Sequence, residues 1–453
     1  MEHSDVVIVG AGLSGLAAAW RLREAGARSV VVLEGRPAAG GRAAASGAPL
    51  PDGVPPASMY ARRTDRDLLD LASALDVPVD ELPDDPALSD LRIDEDGESE
   101  ASDEHMPLDS SWWTLLRNEW ILGRIARRCE GIDFAEPWRS ANAEKLDALT
   151  VRGWLRSHTS DPELLELVEE QLTLAAALPA DRISMLWLLA HLGPTPARGE
   201  RPLRLDPDLL VRRLAAWAGD DLRTGHHVSR IEHGGERALL HGDWGSLSAD
   251  HVVIAVPPSD ADRLDMTPAP APSRRRLQRQ WPQTEVIRTE IVYWRPFWRG
   301  FGLSGELHFD DGIPAWTIDD SPSESSQGRL VAHTYTFGEA DPLGADQSIA
   351  DDPDRHRALL LDNLSGVLGP LAADPVSLHQ TLPDSTPYSR AYQSPMPPGF
   401  LTEFGPLMRA PVGPLRWAAT ETAVFPCNGT LNGAVSSGYR AAEEVLAEVA
   451  SHA

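Results

Sequence analysis

The N-terminal segment constrains the fold more than any other part of the sequence. Residues 5–9 form an apolar run of strand type, Gly10-Ala11-Gly12-Leu13-Ser14-Gly15 follows at once, and a helical pattern covers residues 16–24. In such a turn the first glycine permits the tight bend, the second lets the backbone approach a pyrophosphate, and the third allows the helix to pack closely on the strand. The helix also offers its first N–H groups to the phosphates. The segment therefore predicts an α/β fold with a dinucleotide-binding (Rossmann-like) domain.

The second strand and the loop after it select among dinucleotides. Residues 29–33 form this strand, and Glu34 follows it at the spacing where a carboxylate accepts hydrogen bonds from an adenosine ribose. Arg36 and the triplet Gly40-Gly41-Arg42 lie in the next loop, where glycine N–H groups and arginine charges fit a pyrophosphate. The loop resembles the second phosphate-binding element of FAD-dependent amine oxidoreductases. FAD is therefore favoured over NAD.

The charge and the cysteine content exclude several classes of partner. The 453 residues carry a formal net charge of −27, whereas binding to nucleic acid or to an anionic membrane requires clustered positive charge. The two cysteines, Cys129 and Cys427, are too few for a disulfide framework and lack the spacing of metal ligands. The sequence has no apolar run long enough to span a membrane and no leader pattern. We expect a cytoplasmic protein that binds no metal, no nucleic acid and no membrane.

The C-terminal segment carries a second set of flavin-type motifs. Residues 416–423 read Arg-Trp-Ala-Ala-Thr-Glu-Thr-Ala, and Leu431-Asn432-Gly433-Ala434-Val435 opens a helical pattern. With the segment 397–412, they resemble the closing motif of the flavin-containing monoamine oxidase family, and weaker matches extend the resemblance over nearly the whole chain. The resemblance implies that Glu421 lies at the ribityl and phosphate groups of FAD. It also implies that the last helix points its N-terminus at the flavin ring, where its dipole stabilises the reduced flavin.

The resemblance further implies a discontinuous, two-domain organisation. A FAD-binding domain would comprise residues 1–78, 205–285 and 396–453, and an α+β substrate-binding domain would comprise residues 79–204 and 286–395. Val228 lies where the family packs backbone on the adenine. The acid-rich stretch 80–105 has little helical periodicity, which predicts a solvated surface insertion. We expect the active site between the two domains.

Three residues bear on flavin attachment and on the amine site. Covalent attachment in the family uses a cysteine directly before a pocket tyrosine, and the corresponding pair here is Ala391-Tyr392. Because alanine cannot form a thioether, we expect FAD to be bound non-covalently. Tyr392 matches one wall of the two-aromatic cage that steers an amine toward the flavin, with an ordinary packed tyrosine as the alternative. The second cage position is Thr430, so the cage is open on one side and admits a larger or less basic group.

Two further positions of the family pattern bear on the substrate. Arg288 stands where the family usually has a lysine that holds a water against flavin N5. Lys145 is the only lysine in the chain, so codon bias can explain an arginine with a related role. A guanidinium that clamps a substrate carboxylate or carbonyl is the second explanation, and a purely structural arginine is the third. Trp316 aligns with an aromatic residue that gates the substrate cavity, and the tryptophan-rich substrate segment favours a wide cavity.

The motifs together predict a FAD-dependent amine oxidase. The enzyme would transfer a hydride from a carbon next to nitrogen, in an amine or amide, to flavin N5, and O2 would reoxidise the flavin and yield H2O2. The open cage and wide cavity favour a bulky substrate, as for a tailoring enzyme of specialised metabolite biosynthesis. A C–C desaturase with another electron acceptor and a non-oxidative flavin isomerase are the alternatives. The oligomeric state stays open, a homodimer being one option.

Overall fold

The computed structural model of the chain describes most of its residues. These are residues 2–43, 59–82, 85, 87–93, 99–103, 106–107, 112–193, 202–235, 237–284, 286–310, 312–322, 326–336, 348–382 and 394–452. They form parallel and antiparallel β-sheets with helices packed on them. This is the mixed α/β architecture that the sequence predicts.

The strands and helices are numbered along the chain. The strands are β1 (Glu2–Val9), β2 (Val30–Leu33), β3 (Met59–Ala61), β4 (Val79–Glu81), β5 (Ser89–Ile93), β6 (Ser99–Asp103), β7 (Met106–Pro107), β8 (Leu203–Leu205), β9 (Leu222–Arg223), β10 (Arg230–Glu232), β11 (Ala238–Gly242), β12 (Gly245–Ile254), β13 (Asp265–Thr267), β14 (Val286–Tyr293), β15 (Leu303–Phe309), β16 (Trp316–Asp319), β17 (Gly328–Tyr335), β18 (Ser377–Thr381) and β19 (Leu415–Trp417). The α-helices are α1 (Leu13–Glu24), α2 (Arg66–Ala74), α3 (Trp112–Cys129), α4 (Ala143–Asp147), α5 (Val151–Arg156), α6 (Pro162–Ala176), α7 (Met185–Leu192), α8 (Pro207–Ala218), α9 (Pro258–Ala261), α10 (Pro272–Arg279), α11 (Ser348–Asp351), α12 (Pro353–Leu368), α13 (Phe400–Phe404) and α14 (Leu431–His452).

The first sheet contains the nucleotide-type motifs of the sequence. Its strands lie in the order β13-β10-β11-β12-β1-β2-β9, and β19 pairs with β12. β1 and β2 are parallel, with Val6 opposite Val30, and both are rich in buried valine. Parallel neighbours need a crossover, which α1 supplies. Because α1 packs against α14, the motifs from the two ends of the chain lie side by side.

Close packing of α1 on α14 depends on small residues. A Cβ atom built on Gly438 would lie 2.3 Å from the backbone oxygen of Ser14, so only glycine fits this crossing without a shift. The hydroxyl of Ser437 lies 3.4 Å from that of Ser14 at the same crossing. The short separation brings the second turn of α14 next to the N-terminus of α1.

The second sheet has two unlike faces. Its strands lie in the order β18-β14-β17-β16-β15-β5-β6-β7. One face packs Ile291 and Leu330 on Leu360 and Leu364 of α12 in a hydrophobic core. Alternation along β14 turns Arg288 to the opposite face, together with the residues that lie across from it in register. The sheet is therefore anchored by α12 and presents polar and aromatic side chains on its other side.

The acid-rich stretch is more regular than a solvated insertion. β5 pairs in parallel with β15, with Ile93 opposite Phe309, and β6 pairs with β5 as an antiparallel neighbour. Ile93 is buried in the core beneath α12. The prediction of a solvated surface insertion is therefore wrong for β5, because alternate residues of this strand pack against a sheet edge formed more than 200 residues later in the chain.

The smallest sheet packs in the same core as β1, and Arg204 donates a hydrogen bond from it to the Ser321 carbonyl after β16. It contains β3, β8 and β4, with Tyr60 opposite Arg204. The division of the chain into two domains at the boundaries given above stays a prediction. In the part of the chain that the structure describes, no helix is both long enough and apolar enough to cross a membrane.

Candidate active site

Two glycine-rich turns meet backbone to backbone at the carboxyl end of β1. Gly10 has φ +102° and Gly41 has φ +58°, both in the region that favours glycine. A Cβ atom on Gly41 would lie 3.2 Å from the Cα atom of Gly12, and one on Gly15 would lie 2.0 Å from the oxygen of Gly10. Gly12 is the N-cap of α1 and offers no side-chain cap. The first N–H groups of α1 are therefore available to a ligand.

Glu34 ties this turn to the end of β2. The carboxylate is buried, with Oε2 accepting a hydrogen bond from the Ala11 N–H at 2.8 Å and Oε1 accepting one from the Arg36 N–H at 2.9 Å. The Arg36 guanidinium lies 3.6 Å from Oε1. Its Nε atom is buried and donates no hydrogen bond within the described ranges. Glu34 thus orders the segments that follow β1 and β2, and the Arg36 guanidinium keeps N–H donors for a ligand.

Val228 lies near the same end of the sheet. Its side chain is buried, and neither its N–H nor its C=O makes a hydrogen bond to another residue that the structure describes. The neighbouring segment is fixed by hydrogen bonds from Gly225 to the Arg36 oxygen and from His226 to the Glu34 oxygen. The backbone of Val228 is therefore held in place and offers one donor and one acceptor, which fits hydrogen bonding to the edge of a base.

An ion pair joins the N-terminal and C-terminal motifs. Arg42 Nη2 lies 2.7 Å from Glu421 Oε1, and the Glu421 side chain is only 2% exposed. The second carboxylate oxygen of Glu421 is buried and accepts no hydrogen bond from the described residues. Asn428 Nδ2 donates to the Glu421 carbonyl at 2.6 Å and fixes the loop that leads to α14.

Thr430 is the N-cap of α14. Its hydroxyl accepts a hydrogen bond from the Gly433 N–H at 3.0 Å and donates one to the Cys427 carbonyl at 2.8 Å. Its carbonyl accepts a hydrogen bond from Thr420 Oγ1 at 2.7 Å. Leu431 follows as the first helical residue, and Val435 is buried one turn later. The cap uses the single donor of the Thr430 hydroxyl, which leaves its methyl group and one lone pair for contact with a ligand.

The polar face of the second sheet carries a row of three residues. Two of them are predicted site residues and the third is not. Trp316, His333 and Arg288 lie opposite one another on β16, β17 and β14. The rings of Trp316 and His333 stack with centroids 4.2 Å apart and planes 7° apart. Arg288 Nη1 donates to Glu290 Oε1 at 2.6 Å, and the two side chains are 15% and 9% exposed. Burial, helped by the charge of Arg288, lowers the pKa of His333 to about 3, so its ring is neutral.

Two tyrosines border this row. The Trp316 indole donates to the Tyr335 hydroxyl at 2.9 Å, and that hydroxyl donates to the Leu174 carbonyl at 3.0 Å. Tyr60 on β3 is close enough to Arg288 for their charges to interact. Burial and then the charge of Asp320 raise the pKa of Tyr60, against the lowering effect of the arginines nearby, so its phenol keeps its proton.

The sequence matches the model of the flavin containing amine oxidoreductase family over residues 13–446. The chain belongs to this family. A Mycobacterium tuberculosis protein provisionally named as a flavin-containing monoamine oxidase is 30% identical over 98% of this chain and 96% of its own length. Putrescine oxidase of Kocuria rosea is 29% identical over 98% of this chain and 95% of its own. The solved structure of cyclohexylamine oxidase from Brevibacterium oxydans superposes with a TM-score of 0.82 at 26% identity, covering 98% of this chain and 99% of that one.

Family membership confirms several of the sequence predictions. The fold is that of flavin-dependent amine oxidases, and a putrescine oxidase variant superposes with a TM-score of 0.85 at 25% identity, over 98% of this chain and 99% of its own. The chain is an amine-oxidase-type oxidoreductase with a flavin cofactor and a small-molecule amine substrate. The residue-level assignments stay predictions, since they concern this chain alone.

The structure brings most of the predicted site residues into two groups. One group surrounds the glycine turns: Gly10, Gly12, Leu13, Ser14, Gly15, Glu34, Arg36, Gly41, Arg42, Val228, Glu421, Leu431 and Val435. The other, Arg288 and Trp316, lies on the polar face of the second sheet, and Thr430 caps α14. Ala391 and Tyr392 lie outside the described residues.

Sequence reasoning missed four residues that lie beside Arg288. These are Tyr60, Glu290, His333 and Tyr335. The alternation of β14 would have paired Glu290 with Arg288, because side chains two positions apart share a face of a strand. His333 and Tyr335 depend on the register between strands, and Tyr60 on the packing of one sheet against another, for which the sequence carries no local signal.

Proposed function

We propose that this amine oxidoreductase is an oxidase that binds FAD non-covalently between the two glycine turns, the Arg42–Glu421 ion pair and the N-terminus of α14. The chemistry that FAD would supply there is acceptance of a hydride at N5 from the carbon next to an amine or amide nitrogen, followed by reoxidation with O2 to give H2O2. The single observation that carries the proposal is the direct ion pair between Arg42 and Glu421, because it unites two motifs about 380 residues apart at the glycine turns.

The residues fit FAD at each of its polar parts. The contact between Gly12 and Gly41 leaves backbone N–H groups for the pyrophosphate. The Glu34 carboxylate is placed for ribose hydroxyls, and the backbone edge of Val228 is placed for the adenine. The buried Oε2 of Glu421 has an acceptor lone pair for a ribityl hydroxyl.

The state of the cysteines supports non-covalent binding. Burial raises the pKa of Cys129 to about 11 and raises that of Cys427, whose Sγ also accepts a hydrogen bond from Asn432 Nδ2 at 3.2 Å. Neither thiol has the lowered pKa of a reactive cysteine. Acid precipitation of the purified protein should leave all of the yellow colour in the supernatant. Colour retained in the washed pellet would contradict this part of the proposal.

The residues around Arg288 have little capacity to remove a proton from the substrate. His333 is neutral and weakly basic, and Tyr60 holds its proton. The role of this face is therefore to orient the reacting C–H bond and to exclude water, and the amine is oxidised in its neutral form. A bulky amine or amide, as in a tailoring enzyme of specialised metabolite biosynthesis, is the substrate that we propose, because the small Thr430 occupies the second cage position of the family pattern. We assign Tyr392 to one wall of the amine cage.

The deciding experiment is an anaerobic titration of the flavin-loaded protein with a panel of amines, amides and amino acids, followed by admission of air. Bleaching of the flavin absorption by a substrate, with rapid recovery and peroxide formation in air, supports the oxidase. Bleaching without recovery in air would replace O2 by another electron acceptor. If dithionite alone bleaches the flavin, oxidation of amines of these classes is excluded. We further propose a cytoplasmic location, and light scattering would establish whether the protein is a homodimer.

A further inference from the structure

Contacts on the polar face of the second sheet continue into a closed circuit through three other elements. The first half runs from Arg288 to His333 across the β14–β17 ladder, then through ring stacking to Trp316 and by a hydrogen bond to Tyr335. The Tyr335 hydroxyl ends this half at the Leu174 carbonyl on α6.

The second half returns to the start through α7 and β3. Ala175, the residue after Leu174, receives a backbone hydrogen bond from the His191 ring, and the charge of Arg62 acts on that ring. Tyr60 lies two positions before Arg62 and interacts electrostatically with Arg288. The circuit therefore contains two arginines, Arg288 on β14 and Arg62 directly after β3.

The circuit has more positive than negative charge. Its carboxylate, Glu290, is already paired with Arg288 at 2.6 Å. Asp65 accepts a hydrogen bond from the Arg62 backbone N–H at 2.8 Å, and the Arg62 guanidinium makes only a long contact of 3.5 Å to the Pro426 carbonyl. No described carboxylate forms an ion pair with Arg62. Among the described residues the Arg62 guanidinium thus has no ion-pair partner, in a chain whose net charge is −27.

The histidines of the circuit do not change this balance. Burial, with a contribution from Arg62, lowers the pKa of His191 to about 4, and His333 is also neutral at physiological pH. His379, which faces Glu290 from β18, has its pKa lowered by burial, against the opposing effect of Glu290. The arginines are therefore the permanent charges that a ligand would meet.

The N–H donors of the two arginines also favour a bound anion. A guanidinium has five N–H donors. Arg288 donates a single hydrogen bond within the described part of the chain, from Nη1, although the side chain is only 15% exposed. Arg62 is half-buried and donates only the long bond to Pro426. Two partly buried forks with donors to spare match a planar carboxylate.

We infer that the amine substrate carries a carboxylate, held on the side away from the reacting carbon by Arg288 with help from Arg62. The inference rests on the proposed function and names the substrate class of that same site. It also disfavours diamines, since Glu290, the carboxylate beside Arg288 that could bind a second ammonium group, is already paired with Arg288.

The test compares matched substrates and four variants of the flavin-loaded enzyme. A homologous series of ω-amino acids is set against alkylamines and diamines of equal length, with anaerobic flavin reduction as the readout. Arg288→Gln and Arg62→Gln should each raise the KM for amino acids by about ten-fold or more, a larger factor than any change in the KM for alkylamines of equal length. Glu290→Gln frees Arg288 and should lower the KM for amino acids. Arg66→Gln, at an exposed arginine of α2, is the control.

Arg288→Lys separates anion binding from oxygen chemistry. Lysine keeps the charge but loses the fork, so the KM for amino acids should rise by a larger factor than any change in the rate of flavin reoxidation by O2. A change in reoxidation alone would overturn the inference. So would equal efficiency of the wild type on alkylamines and amino acids of every length.

A binding measurement distinguishes failure of the inference from failure of the proposed function. Alkyl carboxylates without an amine should raise the Tm of the wild type, and of Arg66→Gln, but not of Arg288→Gln or Arg62→Gln. If this holds while no amine reduces the flavin, the anion site stands and the oxidase proposal falls. If no carboxylate raises the Tm and amino acids have no kinetic advantage, the anion site is excluded.

Discussion

Glu34 accepts two backbone hydrogen bonds with one carboxylate, from Ala11 and Arg36, and so fixes the turn that we assign to FAD. In Glu34→Gln one oxygen becomes an NH2 group facing an N–H donor. A hydrogen bond to a charged group contributes about 1.5–3 kcal/mol, so FAD affinity should fall roughly ten-fold or more. Flavin fluorescence during titration of the apoprotein measures the Kd. Glu24→Gln, at the exposed end of α1, is the control, and an equal loss of affinity there would contradict a specific role for Glu34.

The residues that sequence reasoning found and those it missed differ in a physical way. The glycines, Glu34 and Arg42 follow from the local geometry of one strand–turn–helix–strand unit, so their spacing alone indicates their roles. His333 and Tyr335 reach Arg288 only through the register of β14 and β17, which depends on packing against α12. The capping role of Thr430 also has a local signal, because threonine directly before a helix is a preferred N-cap.

The N-terminus of α14 depends on the Thr430 cap. Thr430→Val keeps the side-chain shape but removes the acceptor for the Gly433 N–H and the donor to Cys427. Loss of a cap costs about 1 kcal/mol, so the midpoint of urea unfolding should fall. Thr430→Ser keeps the hydroxyl and is the matched control, with stability close to that of the wild type. Equal losses in both variants would show that the methyl group, and not the cap, is responsible.

The crossing of α1 and α14 sets how closely the two flavin-type motifs approach. In Gly438→Ala the new Cβ would lie 2.3 Å from the Ser14 oxygen, which is backbone and cannot rotate away. The helices must separate, so Tm should fall and FAD should dissociate more readily. Gly366→Ala on α12 is the control, because its Cβ would meet no atom within 4 Å. That change should stabilise the protein by about 0.5–1 kcal/mol through helix propensity alone. A neutral Gly438→Ala would contradict the tight crossing.

The long-range organisation of the molecule was predictable in outline only. The sequence places nucleotide-type motifs at both ends of the chain, and the structure joins them through β19 beside β12 and α14 on α1. No sequence signal indicates that β5 pairs with β15 across more than 200 residues, since charged residues dominate that stretch and, among its described residues, Ile93 and Leu91 are those that pack in the core. Strands of this kind form because they pair with the edge of an existing sheet. The local composition of the sequence does not indicate such pairing.

A partly buried charge cluster links β5 to the helical part of the molecule. Arg92 on β5 lies 2.8 Å from Glu170 on α6 and 3.2 Å from Asp310 after β15. Burial raises the pKa of Glu170 from 4.5 to about 7, with Asp310 adding to the rise and Arg92 opposing it. Because the folded state holds this proton more tightly than the unfolded state, stability is lost as the pH rises from about 4.5 to about 7.

Glu170→Gln should remove this part of the pH dependence. Relative to the variant, the wild type should lose about 1–3 kcal/mol of stability between roughly pH 5 and pH 7.5, measured by urea unfolding of the flavin-loaded proteins. Glu119→Gln, at an exposed position of α3, should run parallel to the wild type over the same range. Parallel curves for Glu170→Gln and the wild type would mean that Arg92 holds Glu170 ionised throughout, and that the cluster fastens β5 to α6 equally well at either pH.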